Sequence, residues 1–425
     1  MFSPMVITLV ILVLAVISFL MEKIPVNLTI MLSMTALVAF GIVDAKTAVS
    51  GFASTTILML IGLVIVGGAL FETGICDMIA QTVTKFAKTE RMMIMAVMIL
   101  SAILSAGLSN SGTVAVFIPI IMGICAKTGF SHSRLLMASF LGAMAGGRLT
   151  LVGDAAINVL IGDQIKALGY PFPFFEIAKI GLPLTLIMIV YVYFIGYKFL
   201  PDIPMGNSTD DALFASGAPK DVPKWKQTVA LTIFFLVFLG MIFEKQIGIP
   251  AYFVAIIGAV FEVLCGIFTE KQAYQMVSIK TVILLGGMVP MSTALRTTGA
   301  AQAIADLLIK IIGGSTNVYF ITIVIFLLTT VMTQFMSNVV TVTLLMPIVI
   351  AVANTIGVVP NAMIMVLGIG STMSILSPIA CPPANLIYSY GGYKFNDYFR
   401  SNIGLAIVFL IACVLIIPIF WPFYA

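Results

Sequence analysis

Apolar residues in this chain come mostly in unbroken runs, not on one face of a periodic pattern. Such runs occupy 4–20, 25–43, 52–73, 91–107, 113–126, 132–148, 158–167 and 175–199. A polar stretch at 201–226 follows, and runs resume at 228–244, 249–268, 277–298, 316–335, 341–355, 360–376 and 401–422. Many approach the ~20 residues that a helix needs to cross hydrocarbon. Residues 4–20 read as a first span, because no basic region or small-residue cleavage site precedes Glu22-Lys23. Two segments break the pattern. At 75–88, Ile75, Met78, Ile79, Val83 and Phe86 share one helical face, while Asp77, Gln81, Lys85 and Lys88 occupy the other. That segment and 300–312 predict amphipathic helices lying along a membrane interface.

The order of elements occurs twice. "SNSGTVAVFIPI" at 109–120 is matched by "SNVVTVTLLMPI" at 337–348, and "ALFETG" at 69–74 by "ALRTTG" at 294–299. Ser109, Asn110, Thr113, Val114, Pro119 and Gly129 thus correspond to Ser337, Asn338, Thr341, Val342, Pro347 and Gly357. The fold expected is an all-α polytopic membrane protein of two inverted-topology repeats, with about ten spanning helices and two re-entrant hairpins. The first repeat covers 1–200, with its hairpin at 91–126 and a broken helix at 132–167. A cytoplasmic linker at 201–227 leads to the second repeat at 228–425, with its hairpin at 316–355 and a broken helix at 360–390. Charge supports this topology. With both termini outside, fourteen Lys and Arg residues face the cytoplasm. Six face outside (Lys46, Lys166, Lys179, Lys245, Arg296, Lys310), and Arg148 is left at membrane depth. The positive-inside rule favours that placement.

Composition removes other classes. With 61% hydrophobic and 9% charged residues and a mean hydropathy of +1.18, the chain has too little polar surface for a soluble protein. Its five cysteines (Cys76, Cys125, Cys265, Cys381, Cys413) form no CxxC or Cys/His pattern, and the single His132 excludes a histidine metal site. No phosphate-binding GxxxxGK[ST] loop is present, and no catalytic constellation can be assembled, so an enzyme is not expected. A net charge of +4 points to no nucleic-acid partner, and no organic cofactor is expected.

The Ser-Asn tips carry the chemistry. A helix can be interrupted at membrane depth only where protein or water satisfies its backbone. The end of one arm leaves carbonyls free, which with Ser and Asn oxygens suit Na⁺. The start of the next arm leaves amides free, which suit an anion. Ser and Asn can also serve as packing glue between spans, but two aligned copies, each followed by a break, favour binding. Repeats with broken helices at equivalent places point to a secondary transporter.

These paired tips, the "ALxxTG" element and the Asn-containing breaks resemble the divalent anion/sodium symporter family of the ion transporter superfamily. The resemblance spans nearly the whole chain, without the extra first helix common in that family. It implies a homodimer working by an elevator-type alternating-access motion, in the bilayer of a bacterial inner membrane, on a small anion, most readily a di- or tricarboxylate. It also implies two Na⁺ sites. The first maps onto Ser105, Ser109, Asn110 and Gly153, and the second onto Thr333, Ser337, Asn338 and Ala380. Substrate contacts map onto Asn110, Ser111, Asn338, Val339, Asp154, Cys381 and Pro382, with Arg148 as a further candidate. Family hydroxyls are replaced here by Val339, Asp154 and Cys381, and an ionised Asp154 would repel a dicarboxylate. Arg148 and Asp154 can also be read as an ion pair bracing the first break. The alternative function is a Na⁺/H⁺ antiporter with Asp154 as the exchanging carboxyl, so H⁺ stands beside Na⁺ as coupling ion. Glu262 lies within an apolar run, and Trp225 and Trp421 read as interface anchors.

Overall fold

The structure, a computed structural model, describes residues 3–21, 23–75, 89–203, 222–277, 279–311, 316–378 and 380–424. Its regular elements there are all helical. The first half contains α1 (Pro4–Met21), α2 (Val26–Ala39), α3 (Thr55–Glu72), α4 (Glu90–Gly107), α5 (Asn110–Thr128), α6 (His132–Gly146), α7 (Ala155–Ala167) and α8 (Ala178–Phe194). The second contains α9 (Lys224–Ile242), α10 (Ala251–Leu264), α11 (Ile279–Thr297), α12 (Ala300–Ile311), α13 (Val318–Met332), α14 (Asn338–Thr355), α15 (Asn361–Ser371), α16 (Pro382–Gly391) and α17 (Phe395–Phe420). Several, such as Glu90–Gly107, Asn338–Thr355 and Phe395–Phe420, are long and apolar enough to cross a membrane. The amphipathic segment expected at 75–88 lies outside the described residues except for Ile75, as does 204–221 of the linker. Its counterpart forms α12 over Ala300–Ile311.

Local chemistry sets where the helices stop. Gly41 and Gly266, Gly74 and Gly299, and Gly129 and Gly357 are matched pairs that end helices at φ between 69° and 76°. A residue with a Cβ resists that left-handed conformation, so equivalent helices in the two halves end at equivalent places. Trp225 is exposed, as an interface anchor should be. Trp421 is not. It is buried against Phe420, with the Lys179 ammonium 5.9 Å from its ring, because the chain turns inward after α17.

The same packing pairs recur in both halves. Helix α4 lies on α6 as α13 lies on α15, and α5 touches α6 as α14 touches α15. Other pairs cross between halves: α5 with α16 and α14 with α7, α2 with α11 and α3 with α10. Each half therefore completes the other's core. Helices α6 and α15 sit at the centre, buried on every side, which explains why their runs are apolar all round. Close approach of α6 to α4 depends on Gly142 and Gly146, where a Cβ would fall 2.2 Å from Met98 O and 2.1 Å from Ala102 O. This is the small-xxx-small spacing by which membrane helices bring backbones together.

Candidate functional site

The two tips have nearly the same backbone. Ser109 (φ −70°, ψ 147°) and Ser337 (φ −63°, ψ 148°) are N-caps of α5 and α14. Their hydroxyl oxygens accept from Gly112 N at 3.2 Å and Val340 N at 3.3 Å, covering one free amide at each helix start. The cap explains a difference from the sequence reading. Helix resumes at Asn110 rather than at 113, so only Leu108 and Ser109 separate α4 from α5.

Each tip asparagine is held by a hydroxyl five residues earlier. Ser105 Oγ donates to Asn110 Oδ1 at 2.7 Å, and Thr333 Oγ1 stands 2.7 Å from Asn338 Oδ1 and from Ser371 O. A Cβ on Gly153 would lie 2.6 Å from Ser105 O, so the first break presses directly onto the first tip. Ser105, Ser109, Asn110 and Gly153 are thereby brought together. Ala380 shares a cavity lining with Ser337 and Asn338, while Thr333 stands behind, bonded to Asn338.

That cavity, of ≈ 680 Å³, is lined from both halves: Ser109, Asn110, Ser111, Gly153 and Asp154 face Ser337, Asn338, Val339, Ala380, Cys381 and Pro382. Four helices begin at its wall, α5, α14, α7 and α16, each preceded by a lining residue. Helix starts carry partial positive charge, about half an elementary charge each, so the cavity suits a negative group without any Lys or Arg among its described lining residues. Asp154 Oδ2 accepts from Asn110 Nδ2 at 3.3 Å. The Cys381 thiol donates to Ser374 O at 3.3 Å and so is turned to the break's own backbone.

Arg148 is elsewhere. It is not in the cavity lining, is 2% exposed, and forms no ion pair with Asp154. Instead Nε donates to Thr372 Oγ1 and Nη2 to Thr372 O, both at 2.7 Å, with the guanidinium 5.3 Å from the Phe409 ring centre. Thr372 caps the C-terminal end of α15, where a cation compensates the free carbonyls. Arg148 thus ties the first break to the second.

Sequence reasoning placed Asn158 only within a break motif and missed the other groups that make the breaks tolerable. Asn158 Nδ2 donates to Gly147 O at 2.7 Å and Thr150 O at 2.8 Å. Gln334 Nε2 reaches Met373 O and Asn402 Nδ2 reaches Ile375 O, each at 2.8 Å. Asn27, a further cavity residue, was also unmarked. The available signal was a lone amide inside an apolar run, which in a membrane helix requires a partner.

Comparison with known proteins decides the family. Residues 16–252 and 238–425 match the model for the citrate transporter family (CitMHS). The chain belongs to that family. Its members are multi-pass membrane transporters, not enzymes. A transporter of uncharacterised substrate from Haemophilus influenzae is 24% identical, over 95% of this chain and 89% of that protein. The sodium-dependent dicarboxylate transporter SdcS of Staphylococcus saprophyticus is 20% identical, over 94% and 82% respectively. Among solved structures, MtrF of Neisseria gonorrhoeae, described as one of a class of antimetabolite efflux pumps, superposes with a TM-score of 0.63. It shares 14% identity and is covered at 95%, against 99% of this chain, which speaks for the fold alone. The symporter family suggested by the Ser-Asn tips is consistent with these relatives.

Proposed function

We propose that this family member is a secondary active carrier of small carboxylate anions, coupled to Na⁺ or H⁺ and working by an elevator-type motion. The observation that carries the reading is the single cavity to which both tips and both breaks contribute. The two cation sites are Ser105, Ser109, Asn110 and Gly153, and Thr333, Ser337, Asn338 and Ala380. The anion lies between them, against Asn110, Ser111, Asn338, Val339 and Pro382. Re-entrant hairpins, inverted repeats and a homodimer in a bacterial inner membrane, termini outside, complete the proposal. The exchange of packing partners between halves supports the repeat, and the sodium-dependent relative supports the coupling ion.

Coupling is energetically sensible. Moving one negative charge into a cell at −100 mV costs about 2.3 kcal/mol, which an accompanying cation cancels. The test is uptake of radiolabelled carboxylates, from mono- to tricarboxylates, into proteoliposomes with an imposed Na⁺ or pH gradient. Accumulation that requires the cation gradient supports the carrier, whereas gradient-independent equilibration of every anion refutes it.

A second reading rests on the Asn110–Asp154 hydrogen bond, which sets a carboxyl beside the first cation site. It is a Na⁺/H⁺ antiporter with Asp154 as the exchanging group. Proton release on Na⁺ addition, with no organic anion present, would favour it.

A further inference from the structure

Asp154 is the one charged side chain among the described residues lining the cavity. It follows Gly153, where an added Cβ would fall 2.6 Å from Ser105 O of the first cation site, and its carboxylate accepts from Asn110 of the same site. Among the described lining residues, the second half contributes no such group. At the corresponding break stands Cys381, with its proton given to Ser374 O, and beside it Val339, which offers no polar atom.

We infer that Asp154 is a specificity-determining residue that supplies one negative charge from the protein, so that the cavity accepts a monocarboxylate in preference to a dicarboxylate. The inference rests on the carrier reading and its two monovalent cation sites. Those cations bring two positive charges into the site, and Asp154 neutralises one of them. A single substrate carboxylate neutralises the other and lies at the starts of α5 and α14. A second carboxylate would bring an uncompensated charge into a lining with no Lys or Arg among its described residues, facing Asp154 on one side. Toward the second break it would meet Val339, Cys381 and Pro382, none of which offers it a side-chain donor. Juxtaposed like charges and unpaired buried charges are the strongest means of excluding a ligand. The residual lining fits the same class: Leu60, Leu63, Val64 and Met276 give the far side of the anion an apolar body to face.

The experiment is thermal stabilisation of the purified full-length chain in NaCl, titrated with propionate, lactate and pyruvate against succinate and malate. The same titrations are run on Asp154→Asn and Asp154→Thr. A monocarboxylate should stabilise the wild type at concentrations on the order of a hundredfold below those needed with either dicarboxylate. Asp154→Asn should gain succinate by at least about tenfold and lose its preference for one charge. A wild type that prefers succinate overturns the inference while leaving the carrier reading intact, and so does an Asp154→Asn protein with the wild-type order. Absence of stabilisation by every carboxylate in the presence of Na⁺ overturns the carrier reading and the inference with it. If neither variant folds, the wild-type order alone decides.

Discussion

Replacing Arg148 by Met separates a structural brace from a ligand contact. Methionine fills the stem volume but removes both donations to Thr372. Hydrogen bonds from a charged donor contribute about 1.5–3 kcal/mol each, or roughly 3–6 kcal/mol for the two. Against this, the variant no longer desolvates a guanidinium that is 2% exposed and without an ion-pair partner among the described residues, which returns several kcal/mol. What survives is the cost of a Thr372 carbonyl left unpaired in the core, about 1–3 kcal/mol. A net loss of that size is expected in SDS-titrated unfolding from mixed micelles. Thr372→Val in the same assay supplies a double-mutant cycle, and the pair should fall short of additivity by roughly 0.5–3 kcal/mol. Stabilisation by Na⁺ and by carboxylates should persist in Arg148→Met, since Arg148 is outside the cavity lining. Additive unfolding costs, or an unchanged unfolding midpoint with ligand stabilisation abolished, would refute the brace and make Arg148 a binding residue.

Three further outcomes follow from the same geometry. Asn110→Ala and Asn338→Ala should each remove Na⁺-dependent stabilisation while leaving a folded protein by size-exclusion chromatography, because each oxygen faces its site through one hydroxyl contact; Na⁺ response retained in both would sink the two-site arrangement. Gly146→Leu should destabilise by more than the ~1–3 kcal/mol usual for overpacking, since even a Cβ meets Ala102 O at 2.1 Å and backbone cannot yield as a side chain does; equal thermal stability would contradict the α4–α6 approach. Glu262 is fully buried on the face of α10 that carries Ala255, Gly258 and Ala259, and neither carboxylate oxygen has a hydrogen-bond partner among the described residues, so Glu262→Met should raise the melting temperature; a lower one would mean that the carboxyl has a partner in the membrane.

The sequence alone determined the class of molecule and most helix positions. Apolar runs can be satisfied only by hydrocarbon or a large core, and glycine pairs such as Gly129 and Gly357 require the same helix end in both halves. The Ser-Asn tips were legible for the same reason: a polar pair inside an apolar run needs a purpose, and theirs is local, a cap and the helix start behind it. Arg148 was not legible in this way. Its charge demanded a partner, and the nearest in sequence was Asp154, six residues on. The partner it has, Thr372, is 224 residues away, brought there because the fold sets the break after α6 against the C-terminal end of α15. Gln334, Asn402 and Asn158 belong to the same category, because carbonyls freed at a break are paid for by whichever donor the fold brings near. Tertiary structure also decided that Asp154 lines the cavity while Arg148 does not. Burial and hydrogen bonding depend on which helices meet, and a linear pattern records the demand for a partner without its address.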